Sequence, residues 1–523
     1  MKDSMIYENL KFRLPDHYDQ QQMITNLDEQ FPIKPEPPQA VRLAFYDTFD
    51  WRLYNNALVL YHSEHGLFLR PLSDVTVLQQ ARITTPPVFV RDLPDGAMKD
   101  KLSAIIEMRA LLKLAHVYCY TTTYRVLNQD EKTVVRLACE EYRPSDEQSA
   151  PVLAVYLVLK PVRGYDKNAH QIADHLKELE LAITSEDPMQ AILKNSGKTP
   201  GDYSGKLNIA LSPDMRADEA TKKILCFLLD IMKRNEPFIK GDVDTEFLHD
   251  FRVAVRRTRT ALSQIKGVFP AEISTHFKEA FRTLGKLSND LRDLDVYLLN
   301  EESYKALLPA DMRDTIDPLF EYLQEKRDAA LQHVINSLES RDYTRLIRDW
   351  TAFLQAPAGD SPAASGARRP IINVAQRRID RVYRRIVTAG YRILENSDDE
   401  LLHALRIECK KLRYLLEFFT SLFPEKKINA LIKQLKQLQD NLGDFNDFDV
   451  QIEYLRKIAE ELPLTGPRSR KTLLAIGRVI EKFENEKQAV KVAFVDVFTG
   501  FAAPANQAAF KQLFKPKKKE GAR

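Results

Sequence analysis

The fold class this sequence predicts is an α+β N-terminal region followed by an all-helical region that contains the same helical unit twice. Three observations carry it. Over residues 1–200, apolar stretches of strand character alternate with amphipathic helical stretches. From about residue 216, apolar residues recur at helical spacing. Third, FLHDFRVAVRRTRTAL at 247–262 returns as LLHALRIECKKLRYLL at 401–416, each residue displaced by 154 positions.

A chain of 523 residues is long enough for two or three domains, each with its own core. YENLKFRL (7–14), VRLAFYDTFDWRLYNNALVLYHSE (41–64), TVVRLACEEYR (133–143) and VLAVYLVLKPV (152–162) read as strands, rich in Val, Leu, Tyr and Phe with partial alternation. MKDKLSAIIEMRALLKLAHV (98–117) and KNAHQIADHLKELELAIT (167–184) read as amphipathic helices. Residues 185–215 concentrate Pro, Gly, Ser and Asp and suit a connection, so the first domain is set at 1–200 and a linker at 201–215. A helix opens at about 216 with Lys222 and Lys223 near its start, and Asp242 or Asp244 stands where the next helix needs an N-cap. Helical patterning continues to 355. APAGDSPAASGARRP (356–370) reads as a mobile low-complexity linker. Beyond it Arg377, Arg378, Arg381 and Arg385 crowd one helix, two further helices are expected over 451–463 and 468–499, and 511–523 reads as a basic tail.

The repeated unit has an unusual charge pattern. At about 100° per residue, His249, Arg252, Arg256 and Arg259 fall within an arc of roughly 80°, while Phe247, Phe251, Ala254, Ala261 and Leu262 lie opposite. An ordinary solvated face mixes Glu with Lys at i,i+4; this arc carries no acid. His403, Arg406, Lys410 and Arg413 have the same spacing. The offset also matches Phe269-Pro270 to Phe423-Pro424, and LSNDLRDLDV (287–296) to NLGDFNDFDV (441–450), where Asp290, Asp293 and Asp295 answer to Asp444, Asp447 and Asp449.

On these residues the chain resembles the CHAD family, the conserved histidine α-helical domain. The likeness covers roughly 216–510, because both copies carry both the basic helix and the Asp-x-Asp-Val block. It implies two pseudo-symmetric helical-bundle halves, about 216–355 and 371–510, whose basic helices line a central pore that binds inorganic polyphosphate. On that reading the ligands are His249, Arg252, Arg256, Arg257 and Arg259 from one half, and His403, Arg406, Lys410, Lys411 and Arg413 from the other. Lys223, Arg377, Arg378 and Arg381 extend the surface.

The N-terminal order of elements and the phrase FYDTFDWRLYNNALVL resemble the CYTH family, whose antiparallel sheet forms a tunnel for triphosphate substrates. The resemblance implies Glu-x-Glu-x-Lys on the first strand, but Tyr7, Asn9 and Lys11 stand there, so only the lysine remains. The family's Arg-x-Arg falls at Tyr61 and Ser63, and its late acidic strand at Ala154, Tyr156 and Val158. Metal-assisted phosphoryl chemistry needs carboxylates for the ion and cations for the phosphates, so this domain is expected to be a degenerate, catalytically silent CYTH-like sheet.

The overall balance excludes little. Net charge is only +3, so an anion site has to come from local clustering. Arginine suits that role because its planar fork grips phosphate oxygens bidentately. Neither His249 nor His403 has a Glu or second His at metal-ligand spacing, and no nucleophile motif accompanies them; both are read as anion ligands, and no catalytic residue, metal site or cofactor is expected. The aspartate trios have two readings: holding a divalent cation, or orienting the arginines and capping helices. The second is preferred, because carboxylates aimed at a polyanion would repel it. No aromatics interleave with the cations to stack bases, which argues against nucleic acid. Cys119, Cys139, Cys226 and Cys409 are scattered, and no apolar run approaches a membrane span. The expectation is therefore a cytoplasmic polyphosphate-binding protein located at polyphosphate granules, with no membrane partner and protein partners unidentified. The alternative is a CYTH-type metal-dependent triphosphatase or polyphosphatase to which the helical domain delivers substrate.

Overall fold

The structure is a computed structural model that describes residues 9–15, 20–73, 76–147, 149–357, 364–396, 398–462 and 467–515. The chain divides into two compact units, Met1–Gly205 and Lys206–Arg523. Tyr7 and Glu8 and residues 516–523 of the expected basic tail lie outside the described residues. Among the described residues no helix is long and apolar enough to cross a membrane.

The first unit is an antiparallel sheet with helices packed on it. Its strands are β1 (Leu10–Leu14), β2 (Ile33–Pro35), β3 (Gln39–Asp47), β4 (Leu58–Ser63), β5 (Gly66–Pro71), β6 (Gln79–Ala81), β7 (Leu112–Leu127), β8 (Thr133–Arg143) and β9 (Ala154–Pro161). Its helices are α1 (Gln20–Gln30), α2 (Arg52–Asn55), α3 (Ala97–Ile106), α4 (Asp166–Glu178) and α5 (Pro188–Asn195). The strand order is β1-β9-β8-β7-β3-β4-β5-β6, and β2 pairs with the far end of β7. One core, with Phe12, Leu27, Leu137, Leu157 and Ile172, lies under α1 and α4; a second, with Phe45, Val117, Tyr156 and Ile192, lies under α5.

Two expectations fail here. The helix expected over 98–117 stops at Ile106, where Glu107 takes a left-handed conformation (φ 55°), and Leu112 begins the longest strand of the sheet. Apolar residues at 110–115 fit a helical period, but the run that follows, Val117 to Val126, alternates aromatic and β-branched residues that pair with β8 on one side and β3 on the other. Sheet pairing overrides the local periodicity. The connection expected at 185–215 also begins with structure: Asp187 caps α5, accepting from Met189 N at 2.9 Å, with Pro188 at its first position. The same buried carboxylate takes both Nη atoms of Arg70, Nη2 to Oδ1 at 3.0 Å.

The second unit is helical throughout: α6 (Ala217–Lys240), α7 (Thr245–Gln264), α8 (Ala271–Leu287), α9 (Asn289–Leu299), α10 (Glu301–Ala306), α11 (Asp317–Leu338), α12 (Arg341–Gln355), α13 (Ile371–Glu395), α14 (Asp399–Phe418), α15 (Glu425–Glu461), α16 (Pro467–Phe501) and α17 (Pro504–Phe514). The pairs α6/α13, α7/α14 and α8/α15 begin at 217/371, 245/399 and 271/425, each 154 residues apart. At the junction the repeats bond reciprocally. Ala217 N donates to Arg369 O at 2.9 Å, and Ile371 N donates to Met215 O at 2.9 Å, the same bond with the two copies exchanged. A local two-fold axis runs between Arg216 and Pro370.

The copies diverge after that. In the first, the aspartate block starts a new helix, because α8 ends at Leu287 and Ser288 breaks the run. In the second, the block lies inside α15, which runs unbroken for 37 residues, so the separate helix expected over 451–463 is the end of α15. Arg252 explains the difference. Its Nη1 donates to Gly285 O at 3.2 Å and Ser288 Oγ at 2.8 Å, closing the exposed end of α8, whereas Arg406 at the equivalent place donates to Asp447. Residues 364–370 of the expected loose linker are held in place: Ala364 and Ala367 are buried, and Gly366 N donates to Gly267 O at 2.8 Å. Lys511 to Phe514, read as tail, belong to α17, where Phe514 is buried against Phe423.

Gly390 on α13 tests this packing. A Cβ there would fall 1.9 Å from Cε2 of Phe498, a fully buried ring held edge-on by Tyr391. Helix propensity alone favours Gly→Ala by about 1 kcal/mol. Overpacking reverses the sign, so Gly390→Ala should destabilise the helical unit by about 1–3 kcal/mol, read as a lowered melting temperature.

Candidate functional site

Helices α7 and α14 begin alike. Asp244 caps α7, accepting from Glu246 N at 2.9 Å and Phe247 N at 3.2 Å, and Asp398 caps α14, accepting from Glu400 N at 3.0 Å. Their apolar faces are buried through Phe247, Phe251, Val255 and Ala261, and through Leu402, Leu405, Cys409, Leu412 and Leu416. The remaining faces meet each other. Arg257 Nη2 crosses from α7 to Glu417 Oε2 on α14 at 2.7 Å, and its guanidinium stands 5.8 Å from the Tyr414 ring. Arg413 donates to the other oxygen of Glu417 at 2.8 Å. Two of the expected ligands are therefore joined through one acid that clamps the helices together.

Beside that clamp two recesses open, of about 540 and 580 Å³, sharing Ser263, Lys278 and Lys411 as lining residues. Arg256, Arg259, Lys410 and Lys411 line the first, and Arg378 and Arg381 of α13 join Lys411 around the second. These six expected ligands come together. Lys278 and Arg282 of α8, Lys266 of the α7–α8 turn and Arg385 of α13 also line the recesses. None was assigned from sequence, although Lys278 and Arg282 carry an i,i+4 basic spacing. Acids at the rim are few: Glu279 pairs with Arg282 at 3.3 Å, and Glu408 with Lys411 at 2.5 Å.

The other candidates lie elsewhere in the unit. Arg252 is buried, bonded to the end of α8 and, through Nη2, to Asn289 Oδ1 at 2.9 Å. Arg406 donates to Asp447 Oδ1 at 3.2 Å. His403 Nε2 is 3.1 Å from Asp449 Oδ2 and Nδ1 is 3.2 Å from Asn446 Oδ1; His249, half-buried on α7, is likewise partnered. Lys223 donates to Ala210 O at 2.7 Å, and Arg377 is exposed on α13 without lining either recess.

The aspartate trios divide by position. The third member of each is tied to a cation on the later helix of its own half, α11 or α16. Arg327 of α11 bonds Asp295 at 2.9 Å and also Asp242, while Lys487 of α16 bonds Asp449 at 2.5 Å and Asp399 at 2.8 Å. The first two members stay exposed, and Asp290, Asp293 and Asp447 act on one another across the repeats beside the stacked rings of Tyr297 and Tyr454. Among the described residues no group of three or more His, Cys, Asp or Glu is arranged to hold a metal ion.

The electrostatics record unrelieved crowding. Burial, then the charges of Arg406 and Arg256 against the weaker pull of Asp447, pushes the Lys410 ammonium down from 10.5 to about 8. Burial followed by Arg256 brings Arg252 down to about 10, and Arg259, Arg378 and Arg406 are lowered the same way, burial first. Neither Arg256 nor Lys410 forms an ion pair among the described residues, and the buried Nε atoms of Arg256, Arg259 and Arg406 have no acceptor. Each positive charge held here without a partner costs stability.

Lys410 gives that cost a measurable sign. Its amine binds a proton less readily in the folded chain than in the unfolded one, so its penalty is complete below about pH 8 and is relieved as pH rises toward 10.5. Lys410→Met should therefore stabilise the ligand-free protein at pH 7 by about 1–2 kcal/mol after allowance for solvent screening. The gain over wild type should shrink between pH 8 and 10.5 in parallel thermal melts.

Comparison with known proteins bears on the same stretch. Residues 223–456 match the family model of the CHAD domain. Two uncharacterized proteins, from the Mycobacterium tuberculosis strains CDC 1551 / Oshkosh and ATCC 25618 / H37Rv, are each 25% identical over 211 residues, 40% of this chain and 39% of theirs. The chain thus spans about two fifths of the length of the curated relatives it matches. Among solved structures it is similar to the CHAD domain from the plant Ricinus communis, with 24% identity, TM-score 0.49, and coverage of 58% of this chain and 98% of that one. It is also similar to PptA from Streptomyces chartreusis, with 14% identity, TM-score 0.42, and coverage of 55% and 100%. The family match, which spans both basic helices and both aspartate blocks, carries the assignment: this chain contains a CHAD domain.

Proposed function

We propose that the helical unit captures inorganic polyphosphate in the recesses beside α7 and α14. The observation that carries this reading is the meeting of Arg256 and Lys410, one from each repeat, at the edge of an open cavity: neither has an ion-pair partner among the described residues, and burial followed by the charges of Arg406 and Arg256 depresses the Lys410 ammonium. A linear polyanion answers that arrangement better than a compact one, because the cations are strung along α7, α14 and α13 and not gathered at a point. Arginine forks give bidentate grips on phosphate oxygens, and Lys410 and Lys411 act as point charges between them. Arg257, Arg413, Arg252 and Arg406 then act from behind, holding the helices in register. His249 and His403 serve the same end of the unit. In a cell such a module brings its chain to polyphosphate granules.

For the N-terminal unit we keep the reading of a CYTH-like sheet without catalysis. Lys11 faces its interior, 5.5 Å from the Tyr156 ring, near Arg70. The carboxylates within reach are already bound: Asp187 by Arg70, Glu186 by Arg13 at 2.7 Å, and Glu140 by the Tyr142 hydroxyl at 2.9 Å. A metal-dependent phosphohydrolase needs such oxygens free.

Titration of the full chain with long-chain polyphosphate tests the main reading. Arg256→Ala/Lys410→Ala should weaken binding by about a hundredfold, the loss of two charge-assisted contacts, and flatten the slope of log affinity against log salt by about two. Wild-type affinity should fall as pH rises through about 8, where Lys410 loses its proton, and Lys410→Arg should hold its affinity to higher pH. An unchanged constant in the double variant at low salt would overturn the proposal.

A further inference from the structure

The repeats are nearly equivalent in backbone but not in the walls they offer to an anion. Arg378, Arg381 and Arg385 of α13 line the larger recess. The positions 154 residues earlier on α6 are Ile224, Phe227 and Ile231, with Ile224 and Ile231 buried. The α6 face is therefore covered and offers an anion no cation at these positions, where the α13 face presents guanidinium groups. On α8, Lys278 and Arg282 line the smaller recess; their counterparts on α15 are Ile432 and Lys436, beside Lys433, and neither recess touches them. Charge is therefore present on α15 as well, but not beside either recess.

The opposite end of the α7–α14 seam carries the other sign. Asp293 is exposed, yet burial of its surroundings and then the neighbouring Asp290 and Asp447, against Arg252 and Arg292, raise its carboxyl above the usual range. Asp444 is raised as well, by desolvation, Asp447 and Asp440. Arg252 and Arg406, the innermost cations of the seam, thus face carboxylates from both repeats. A phosphate chain driven past them would trade cations for anions.

We propose that the phosphate chain lies in a one-sided groove, leaving the α7–α14 seam over α13 and α8, and that the carboxylates of Asp293 and Asp447 close the inner end so that the chain is laid across the unit and not threaded through it. This rests on the polyphosphate reading and deepens it. It adds Lys278, Arg282 and Arg385 to the binding residues and makes Asp293 and Asp447 the limit of the site. A symmetric channel would engage α8 and α15 alike.

The experiment compares two surface double variants of the full chain, each titrated with long-chain polyphosphate over a series of salt concentrations. Lys278→Ala/Arg385→Ala should lower affinity at least about tenfold and flatten the salt slope by about two. Lys433→Ala/Lys436→Ala removes the same charge from the equivalent repeat and should stay within about threefold of wild type, the residue of long-range attraction. Equal losses in the two pairs, or no loss in the first, would overturn the one-sided groove. As a second measurement, Asp293→Asn/Asp447→Asn should tighten binding several-fold and steepen the slope, while thermal melts confirm that the fold is retained; weakened binding would overturn the role given to those acids. Should wild type itself fail to bind polyphosphate at low salt, the underlying reading fails and not this elaboration of it.

Discussion

Two helices with cationic faces, free of acid on α7 and interrupted by Glu417 on α14, are packed against one another, and the architecture of the helical unit follows from having to hold them there. At 4 Å and an effective dielectric of 20, a like-charged pair costs about 4 kcal/mol. The apolar backs of α7 and α14 supply the opposing term by burying Phe247, Phe251, Leu405, Leu412 and their neighbours. Glu417 supplies the direct link, because it accepts from Arg257 across the seam and from Arg413 along its own helix. Position 263, its counterpart in the first copy, is a serine, so the clamp exists once and breaks the two-fold relation where the recesses open.

The aspartate blocks show what the duplication preserved. Asp295 and Asp449 are equivalent, and each is bonded to a cation on the later helix of its own half, α11 or α16. Those cations, Arg327 and Lys487, are not equivalent: the offset carries 327 to Glu481, and 487 back to His333. The offset carries α11 onto 471–492, inside α16, so corresponding helices supply the positive charge to the equivalent carboxylate, but from different positions along their length. The requirement met is electrostatic, a helix-borne acid neutralised by a cation of the helix beside it, and it leaves the first two aspartates of each trio outside that contact. That split could not be seen in DLRDLDV and DFNDFDV, where the three acids look alike.

Much of the framework was legible because it depends on local pattern. The repeat offset located the starts of α6/α13, α7/α14 and α8/α15, and the apolar backs of the basic helices follow from spacing alone, while of the two N-cap aspartates the sequence offered, Asp242 and Asp244, it is Asp244 that caps α7. The misses have one physical cause, contacts distant in sequence. MRALLKLAHV has a helical period, and only pairing with β3 and β8 makes it a strand. The break between α8 and α9 needs Arg252 to reach Gly285 and Ser288, which no local rule in LSND announces. In the site, Arg256, Arg259, Lys410, Lys411, Arg378 and Arg381 were named from sequence and line the recesses, whereas Arg257 and Arg413 are tied to Glu417. Lys278 and Arg282 escaped notice because their significance comes from the angle at which α8 crosses α7, a tertiary quantity.

The two units treat charge in opposite ways. In the sheet unit Arg70 and Asp187 are both buried and satisfy one another bidentately, while Asp187 also caps α5, so the pair serves packing and geometry. In the helical unit Arg256 and Lys410 stand at an open cavity, crowd one another, and have no carboxylate of their own among the described residues. A net charge of +3 conceals this, since 77 basic and 74 acidic residues nearly cancel over the chain. Balance in the total is compatible with a strong local field only if the acids are kept away from it. Glu417, Asp295 and Asp449 are each engaged by cations at the edges of the seam, and Glu279 and Glu408 offset only part of the charge at the rim, which leaves a net positive field where solvent can reach it.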